Sequence, residues 1–471
     1  MSERDADFDG DGFADLAFGG GWAEVEDLAD DGVVLVVYGS ETVAPSRVQS
    51  WSETEFVQRP HPSFGSALGV GDFDGDGYSD LAIGANEEPV DSRESAGLVR
   101  ILYGSPTGLT AARSQRWTQN SPDISGNAEP NDGFGSSLAA ADLGHGPEDD
   151  LAIGVHGENH DSGAVNVIYG SPQGLSSRND QIWSQASPGI TETPEQYDAF
   201  GLTVVTGQFR DSAYADLAVG VYVESPGNSL SSGAVHILNG SPDGLTARDS
   251  QYFTQPDLGV DGEEVQSAAF SFSLAAGRFT GGPTDDLAVG APFAGDHSGL
   301  VHVLYSSPSG LRTDRTQVWS QASPGIHGSP ETEDTFGWAL TAGSFGRDTA
   351  GRQFDDLVIR VPGELTTDSD EEGGGLNVLY GSPAGLTASG NQAITKAVTS
   401  EALGIDVSWR RQLTAARLGR SDLDQLIVGS EDWITVLPSR QDGLAATGPQ
   451  WTARSLGHPE IWTGLADKVT G

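Results

Sequence analysis

Residues 72–85 read DFDGDGYSDLAIGA, and residues 7–20 read DFDGDGFADLAFGG. In each stretch acidic residues alternate within a short loop that leads directly into an Asp-Leu-apolar-apolar-Gly phrase. This phrase recurs along the whole chain, beginning at Asp15, Asp80, Asp150, Asp216, Asp286 and Asp356, with a degenerate seventh copy at Gln425. The copies stand 65 to 70 residues apart. A fixed period of this length predicts a repeat protein.

Each unit carries the signals of four short strands. The Asp-Leu phrase is followed by a β-rich run such as residues 99–103, a Gly-Ser-Pro-x-Gly-Leu turn at 104–109, and an aromatic strand ending at Trp117. A Phe-Gly-x-x-Leu segment, as at Phe64, opens the next unit. Seven such units predict an all-β, seven-bladed β-propeller of four-stranded antiparallel blades, with residues 1–471 forming a single domain.

The two ends of the chain predict how the ring closes. The first unit lacks its opening strand, whereas the C-terminus carries a spare stretch of matching shape, Ile461-Trp462-Thr463-Gly464-Leu465. We therefore expect residues 460–471 to supply the inner strand of blade 1, which leaves no unpaired strand edge there.

The composition excludes several classes of function. The chain has 68 acidic and 24 basic side chains, a net charge of −44, so nucleic acid and anionic membranes are not expected partners. With no cysteine, it has no disulfide or thiolate site. No apolar run is long enough to insert into a membrane. The first residues, MSERDAD, show no signal peptide.

The alternating acids predict two calcium sites. Carboxylates on a tight loop can converge on one cation, and a donor set of oxygens without His or Cys favours Ca²⁺ over zinc. Phe13 and Tyr78 would add main-chain oxygens, and an acidic turn without metal is the alternative. The predicted ligands are Asp7, Asp9, Asp11, Phe13 and Asp15 in one loop, and Asp72, Asp74, Asp76, Tyr78 and Asp80 in the other.

The segment from Phe64-Gly65 to Ala85 resembles an FG-GAP repeat, the repeat of the integrin α-subunit head and of many bacterial propellers. The resemblance covers all seven units, and we expect the bacterial type. It implies that the loops between strands 1 and 2 lie on a lower rim, where calcium has a structural role. It also implies that the 4–1 and 2–3 loops form an upper face that binds ligands.

Units three to seven depart from the family pattern in the calcium loop. The third has lost two alternating acids, the sixth has an insertion at residues 346–354, and the others carry arginine at a ligand position. Arginine cannot ligate a cation, but it can pair with the surviving acid and brace the loop. The arginines concerned are Arg210, Arg278 and Arg417. We therefore predict Ca²⁺ in units one and two only.

The third residue of the inner strand predicts a lopsided funnel at the channel mouth. Leu202, Phe272 and Trp338 would form an apolar side next to cationic Arg411, a combination suited to a small amphipathic ligand. Packing between blades is the alternative. In the sixth unit Arg360 replaces the glycine that closes the Asp-Leu phrase, which indicates either anion recognition or a structural ion pair.

Three histidines are candidates for proton transfer. His156 and His160 lie in one upper loop with Asp161, and an Asp296-His297 pair lies in another. A His-Asp pair can orient an imidazole as a general base. His236 and His302 hold a position that is polar in several units, which indicates a structural role. No nucleophile elbow, P-loop or dinucleotide fingerprint occurs, so no organic cofactor is expected.

Two functions fit the sequence. The first is a calcium-stabilised propeller, expected to be a monomer, that binds a small molecule or protein through its upper face. The alternative is a redox-neutral enzyme of bacterial natural-product metabolism, catalysing cyclisation, alkylation or hydrolysis in the funnel. There, Arg360 or Arg411 would stabilise negative charge and His156, His160 or His297 would move protons. The family resemblance implies an extracellular location, and a chain that is complete as given implies a cytoplasmic one.

Overall fold

Seven four-stranded antiparallel sheets follow one another along the chain, which confirms the predicted propeller. The computed structural model describes residues 5–21, 23–25, 32–55, 63–225, 231–260, 262, 266–346, 354–364, 374–395, 412–429, 433–458, 461–463 and 468–470. In every blade the Asp-Leu phrase, or its seventh copy, forms the second strand. The repeat in the sequence is therefore the repeat of the structure.

The strands of each blade are numbered 1 to 4 from the channel outwards. Blade 1 contains Lys468–Thr470, Leu16–Gly20, Val33–Tyr38 and Arg47–Trp51; blade 2 contains Ala67–Gly71, Asp80–Ala85, Leu98–Tyr103 and Thr110–Trp117. Blade 3 contains Leu138–Ala141, Asp150–Val155, Ala164–Tyr169 and Ser176–Trp183; blade 4 contains Val204–Gly207, Asp216–Val221, Ala234–Asn239 and Thr246–Phe253. Blade 5 contains Ser273–Gly277, Asp286–Ala291, Leu300–Ser307 and Gly310–Trp319; blade 6 contains Leu340–Gly343, Asp356–Val361, Gly375–Tyr380 and Thr387–Thr395. Blade 7 contains Leu413–Ala416, Gln425–Gly429, Ile434–Leu437 and Gln450–Trp451.

A few elements lie outside the blades. Short strands Glu24–Val25 and Ile461–Thr463 pair with each other, as do Ser439–Arg440 and Gly443–Leu444. The helical turns are Glu53–Glu55, Glu158–Asp161, Pro256–Leu258 and Ala294–His297. Because neighbouring strands are antiparallel, the 1–2 and 3–4 loops share one rim, called here the lower rim. The 2–3 loops and the 4–1 connections between blades share the opposite, upper rim.

The ring closes through the C-terminus, within residues 460–471 as expected, but not through the Ile461 stretch whose shape suggested it. The inner strand of blade 1 is Lys468–Thr470, which pairs with Ala17, Phe18 and Gly19. It contacts the inner strands of both blade 7 and blade 2. Ile461–Thr463 instead pairs with Glu24–Val25. In blade 2, Gly84 is equivalent to Gly19 and pairs with Ala67, which lies three positions after Phe64 of the Phe-Gly pair. The Ile461 stretch does not pair with Gly19 in this register.

Strands 2 and 3 are buried on both faces because each blade is covered by its two neighbours. In blade 4, for example, all residues of Asp216–Val221 and Ala234–Asn239 are buried, whereas the residues of strand 4 are half-buried or exposed except for Phe253 at its end. The apolar clusters accordingly join adjacent blades: Val235 and Phe253 of blade 4 pack in one cluster with Val289 and Leu304 of blade 5. Continuous Val/Ile/Leu runs are what this two-sided burial requires.

A tyrosine hydroxyl links most blades to the next one. Tyr103 Oη donates to Gln115 Oε1 at 2.7 Å and accepts a hydrogen bond from Leu175 N at 3.0 Å, at the end of the following blade's 3–4 turn. Tyr38, Tyr169 and Tyr305 make the same two contacts. In blade 4 Asn239 takes the tyrosine position, and Gln251 Oε1 accepts directly from Leu311 N at 2.9 Å. The lower-rim turns are thereby tied to the ring.

One position in strand 3 is polar and buried in six blades, as expected for a structural role. It is occupied by Arg100, Asn166, His236, His302, Asn377 and Thr435, each opposite an Ile or Val of strand 2. His302 is fully buried, and its Nε2 lies 3.0 Å from Gln255 Oε1. Burial lowers the pKa of His302 to about 3 and that of His236 to about 4. Both imidazoles are therefore neutral in the folded protein.

Acid sensitivity is expected to decrease in His302→Asn. In the unfolded chain His302 has a pKa of about 6.5, so it binds a proton below that pH. In the folded protein its pKa is about 3, so it stays neutral until the pH approaches that value. Stability is therefore lost as pH falls below 6.5, by about 3 kcal/mol at pH 4. Asparagine already occupies the equivalent position in blades 3 and 6. Urea unfolding at pH 7 and pH 4 should show the smaller loss in the variant, whereas exposed His160→Asn should behave as the wild type. An equal loss in all three chains contradicts the prediction.

Candidate functional site

The lower-rim loop of blade 1 gathers three of its acids. Asp7 accepts hydrogen bonds from Asp11 N at 3.1 Å and Gly12 N at 3.0 Å, which wraps the loop around its carboxylate. Asp15 accepts from Phe8 N at 2.7 Å. As a result, carboxylate oxygens of Asp7, Asp9 and Asp15 lie within 4.8 Å of one another.

The loop of blade 2 repeats this arrangement. Asp72 accepts from Asp76 N at 3.1 Å and Gly77 N at 3.0 Å, and Asp80 accepts from Phe73 N at 2.8 Å. Oxygens of Asp72, Asp74 and Asp80 again lie within 4.8 Å of one another. Two copies of one geometry follow from two copies of one sequence.

Each loop contains one carboxylate oxygen that is buried and has no hydrogen-bond donor among the described residues. These are Asp9 Oδ1 and Asp74 Oδ1. The other oxygens of the same side chains face Arg47 at 3.2 Å and Arg113 at 2.8 Å. A buried carboxylate oxygen without a donor is costly, and a cation held among three carboxylates would satisfy it. The residues present therefore fit a hard divalent cation.

Other predicted ligands lie outside these groups of three. Asp11 Oδ1 accepts a hydrogen bond from Phe13 N at 2.9 Å, and Asp76 Oδ1 accepts one from Tyr78 N at 3.1 Å. These contacts are local to each loop. Ligation by Asp11 and Asp76, and by the main-chain oxygens of Phe13 and Tyr78, stays a prediction.

The last acid of each loop also braces the blade. Asp80 Oδ1 accepts from Gly104 N at 2.8 Å, and Asp15 Oδ1 accepts from Gly39 N at 2.8 Å, so each acid joins the 1–2 loop to the end of strand 3. Asp150 makes the same link in blade 3, which lacks the alternating acids. Burial raises the pKa of Asp15 and Asp80 to about 8 each. A bound cation would favour the ionised carboxylates.

Arginine lies in the equivalent loop of three other blades. Arg210 Nε lies 2.9 Å from Asp216 Oδ1, the pairing expected from the sequence. Arg278 and Arg417 instead face the residue before the Asp-Leu phrase or its equivalent, at 3.5 Å from Asp285 and 3.4 Å from Asp424. Among the described residues, none of the four groups of clustered acids lies in these loops.

The inner strands surround a cavity of about 520 Å³. Leu202, Phe272 and Trp338 line it, together with residues of the inner strands of blades 2, 3 and 7 such as Ser136 and Gln412. The three apolar residues thus lie where the sequence placed them. The volume is in the range of small-molecule sites. Arg411 lies outside the described residues, so the predicted cationic side is not described.

Half-buried aromatic rings form one wall of the upper mouth of this cavity. Phe272 and Trp338 lie 4.6 Å apart between ring centroids, and Phe293 is 5.8 Å from Phe272 and 5.9 Å from Trp338. Tyr222 adds a fourth ring, 6.0 Å from Phe272. Tyr222 and Phe293 come from 2–3 loops and were not predicted. In the sequence, each is an aromatic residue one or two positions after strand 2. This pattern indicates a site only when the structure shows that the loop lies beside Phe272 and Trp338.

The candidate proton-transfer residues are spread over the upper rim. His297 Nδ1 lies 2.9 Å from Glu333 Oε1, rather than pairing with Asp296, and its ring centroid is 5.3 Å from that of Phe293. His156 is half-buried, and burial lowers its pKa. His160 is exposed. The structure therefore brings His297, but not His156 or His160, into contact with the aromatic wall.

Arg360 is 4% exposed and does not line the cavity. Its backbone takes part in the sheet, since Arg360 N donates to Ala339 O at 3.0 Å. Such burial is typical of an arginine with a structural role. A role for Arg360 toward a ligand stays a prediction.

Comparison with known proteins supports the FG-GAP family. Residues 64–102 match the FG-GAP repeat. Mouse phosphatidylinositol-glycan-specific phospholipase D is 28% identical over 268 residues, covering 54% of this chain and 30% of that protein. Integrin alpha-PS2 of Drosophila melanogaster is 34% identical over 266 residues, covering 54% of this chain and 17% of that protein. The matches thus span less than a third of these curated relatives. Both are animal proteins, and the bacterial type expected from the sequence stays a prediction.

Solved structures of similar shape are more distant. Rhamnogalacturonan lyase YesW has a TM-score of 0.39 at 13% identity, covering 90% of this chain and 67% of that one. Among the residues that the structure describes, no helix is long and apolar enough to cross a membrane.

Proposed function

We propose that this chain is a calcium-stabilised FG-GAP β-propeller that binds a small molecule or protein through its upper face. The observation that carries the proposal is the wall of four half-buried aromatic rings at the mouth of a cavity of about 520 Å³. Aromatic rings held by a rigid sheet lose little conformational entropy on binding and provide large contact areas. The integrin relative supports a binding role by analogy.

Calcium would act at a distance from this surface. The Asp7 and Asp72 loops lie on the lower rim, opposite the aromatic wall, and tie the start of strand 2 to the end of strand 3. Bound ions would neutralise the crowded carboxylates and hold these loops in one conformation. The net charge of −44 makes a basic or neutral partner more favourable than an anionic one.

Trp338→Ala is expected to weaken ligand binding at the upper face by about 30-fold, the loss typical of a central aromatic contact. A library of fluorinated aromatic fragments would be screened against the wild-type chain by ¹⁹F NMR, and the affinity of each hit measured for the variants. Trp433→Ala is the matched control, because Trp433 is an exposed tryptophan that does not line the cavity. Hits that bind Trp338→Ala as well as wild type would contradict the proposed site.

A redox-neutral enzyme is the second candidate, and one observation favours it. The His297–Glu333 pair lies beside Phe293, at the edge of the aromatic wall, and a carboxylate can hold an imidazole in the orientation a general base needs. If the chain is an enzyme, His297→Gln should abolish turnover while leaving fragment affinity unchanged. Loss of affinity instead would assign His297 to binding.

A further inference from the structure

A group of three carboxylates lies on the upper rim between blades 5 and 6, far from the predicted calcium loops. Glu331 and Asp334 come from the 4–1 connection and Glu364 from the 2–3 loop of blade 6. One oxygen of each lies within 4.8 Å of the other two. Glu331 N donates to Asp334 Oδ2 at 2.6 Å, which holds the first two together.

Two oxygens at this group are buried and have no hydrogen-bond donor among the described residues. Asp334 is fully buried, and its Oδ1 is one of them. Gln321 is 4% exposed, and its Nε2 donates a hydrogen bond to Glu364 Oε2. The second buried oxygen without a donor is Gln321 Oε1 of the same amide group. Two acceptors without donors beside three carboxylates describe a set of ligands for a cation rather than an internal hydrogen-bond network.

The same group is repeated between blades 3 and 4. Oxygens of Glu195, Asp198 and Glu224 lie within 4.8 Å of one another. Gln185 Nε2 donates to Glu224, and Gln185 Oε1 is buried without a donor among the described residues. Asp198 and Glu224 are each 2% exposed. Both groups therefore combine a Glu-x-x-Asp segment, a glutamine ten positions before it in the same 4–1 connection, and a glutamate from the following 2–3 loop.

Neighbouring interfaces show what replaces this arrangement when it is lost. Between blades 4 and 5, Ala268 and Ala294 stand where the aspartate and second glutamate would be, and Gln255 contacts His302 instead. Between blades 2 and 3 the same residue types are present, as Glu129, Asp132, Glu158 and Gln119. Glu158 accepts hydrogen bonds from Gln119 Nε2 at 2.6 Å and from Asn159 Nδ2 at 3.0 Å, and the three acids there do not form a compact group. Of the four interfaces from blade 2 to blade 6, three thus have the complete set of residues, and two bring the carboxylate oxygens into a compact group.

Burial makes the negative charge of these groups costly. Asp334 is fully buried and Glu224 is 2% exposed. Carboxylates in such a site either bind protons or pair with a cation. The half-buried Glu331 and Glu364 leave the first group open to an ion from solvent.

We propose that each of these two groups binds a Ca²⁺ ion, so that the propeller carries cations at two upper-rim interfaces in addition to those predicted for the lower rim. All the donors are hard oxygens, from three carboxylates and one amide carbonyl, which is the chemistry that Ca²⁺ prefers. Each ion would join adjacent blades, because the glutamine lies just after strand 4 of one blade and the second glutamate lies in the 2–3 loop of the next. The chain would then bind more Ca²⁺ than the two ions expected from its aspartate loops.

The test is a calorimetric titration of the chelator-treated full chain with Ca²⁺. We expect Asp334→Asn to bind one ion fewer than wild type, or to bind it at least tenfold more weakly. Loss of a residue that only supports a metal ligand already weakens affinity by about tenfold or more, and Asp334 would be a ligand itself. Asp198→Asn should lose the second upper-rim ion. Glu333→Gln is the matched control, because it removes one negative charge from the same loop at an exposed position.

Melting without metal separates ligation from a structural role. Asp334→Asn removes a buried charge, so its metal-free melting temperature should equal or exceed that of wild type, and its gain on adding Ca²⁺ should be smaller. Equal stoichiometry and affinity in wild type, Asp334→Asn and Glu364→Gln would overturn the proposal. Asp9→Asn with Asp74→Asn reports on the lower-rim sites independently. Crystals grown with Mn²⁺ would test the assigned position. An anomalous peak beside Asp334 would support it, and the absence of a peak there would overturn it.

Discussion

Removal of residues 468–471 is expected to lower the free energy of unfolding by about 3 kcal/mol or more, because it takes away the inner strand of blade 1. Lys468–Thr470 pairs with Ala17, Phe18 and Gly19 and lies between the inner strands of blades 7 and 2. The backbone hydrogen bonds lost are worth about 1 kcal/mol each, and the loss also uncovers Leu16 and Phe18, which are fully buried. Denaturant unfolding of the truncated and complete chains measures the change.

Two further chains make this deletion informative. Deleting Gly471 alone leaves the paired residues in place and should have little effect. Adding a peptide of residues 461–471 to the truncated chain should restore part of the lost stability, since it can supply the missing strand in trans. If the deletion of 468–471 leaves stability unchanged, the C-terminus does not close the ring.

Removal of Ca²⁺ is the second large effect expected. At a free concentration 100 times the dissociation constant, one bound ion stabilises the folded state by about 2.7 kcal/mol, so the two lower-rim ions together would contribute about 5 kcal/mol. For a chain of 471 residues this corresponds to a shift of roughly 5 °C in the melting temperature. Differential scanning calorimetry with excess Ca²⁺ and with excess chelator measures it.

Variants assign that shift to the lower-rim loops. Asp74→Asn changes a side chain with a buried oxygen that has no donor among the described residues, so it should lose about half of the calcium-dependent gain attributed to these loops. Asp211→Asn is the matched control: Asp211 is an exposed acid of the equivalent loop of blade 4 and is not among the clustered acids. A gain that is the same in all three chains would show that the predicted loops do not bind the ion.

The sequence was informative where ligands and strands are contiguous. The Asp-Leu phrase predicted the second strands, and the alternating acids predicted the groups at Asp7 and Asp72, because a single short loop determines both. Residues 460–471 were correctly expected to close the ring, but the exact strand within them was not predicted, because residues 468–470 carry no Phe-Gly signature and their position depends on register with Gly19. Only the fold could settle that register.

Features assembled from distant segments were not predictable in the same way. Glu331 and Glu364 are 33 positions apart, and Tyr222 and Phe272 are 50 apart. Their proximity follows from the sequence of blades around the ring rather than from any local pattern. The partner of His297 was not predictable for the same reason. The sequence suggested the adjacent Asp296, but both residues have a left-handed backbone and His297 contacts Glu333 of the next 4–1 connection.

The closing strand also constrains how the protein is made. Gly19 and its partner Lys468 are 449 positions apart (468 − 19). At about 5–20 residues per second, a ribosome needs roughly 20–90 s to cover that distance. During this time blade 1 has an open inner edge, while blades 2 to 6 already have all their strands. Blade 1 is therefore completed last during synthesis, and chains that stop short of the final residues should be the ones that aggregate or are degraded.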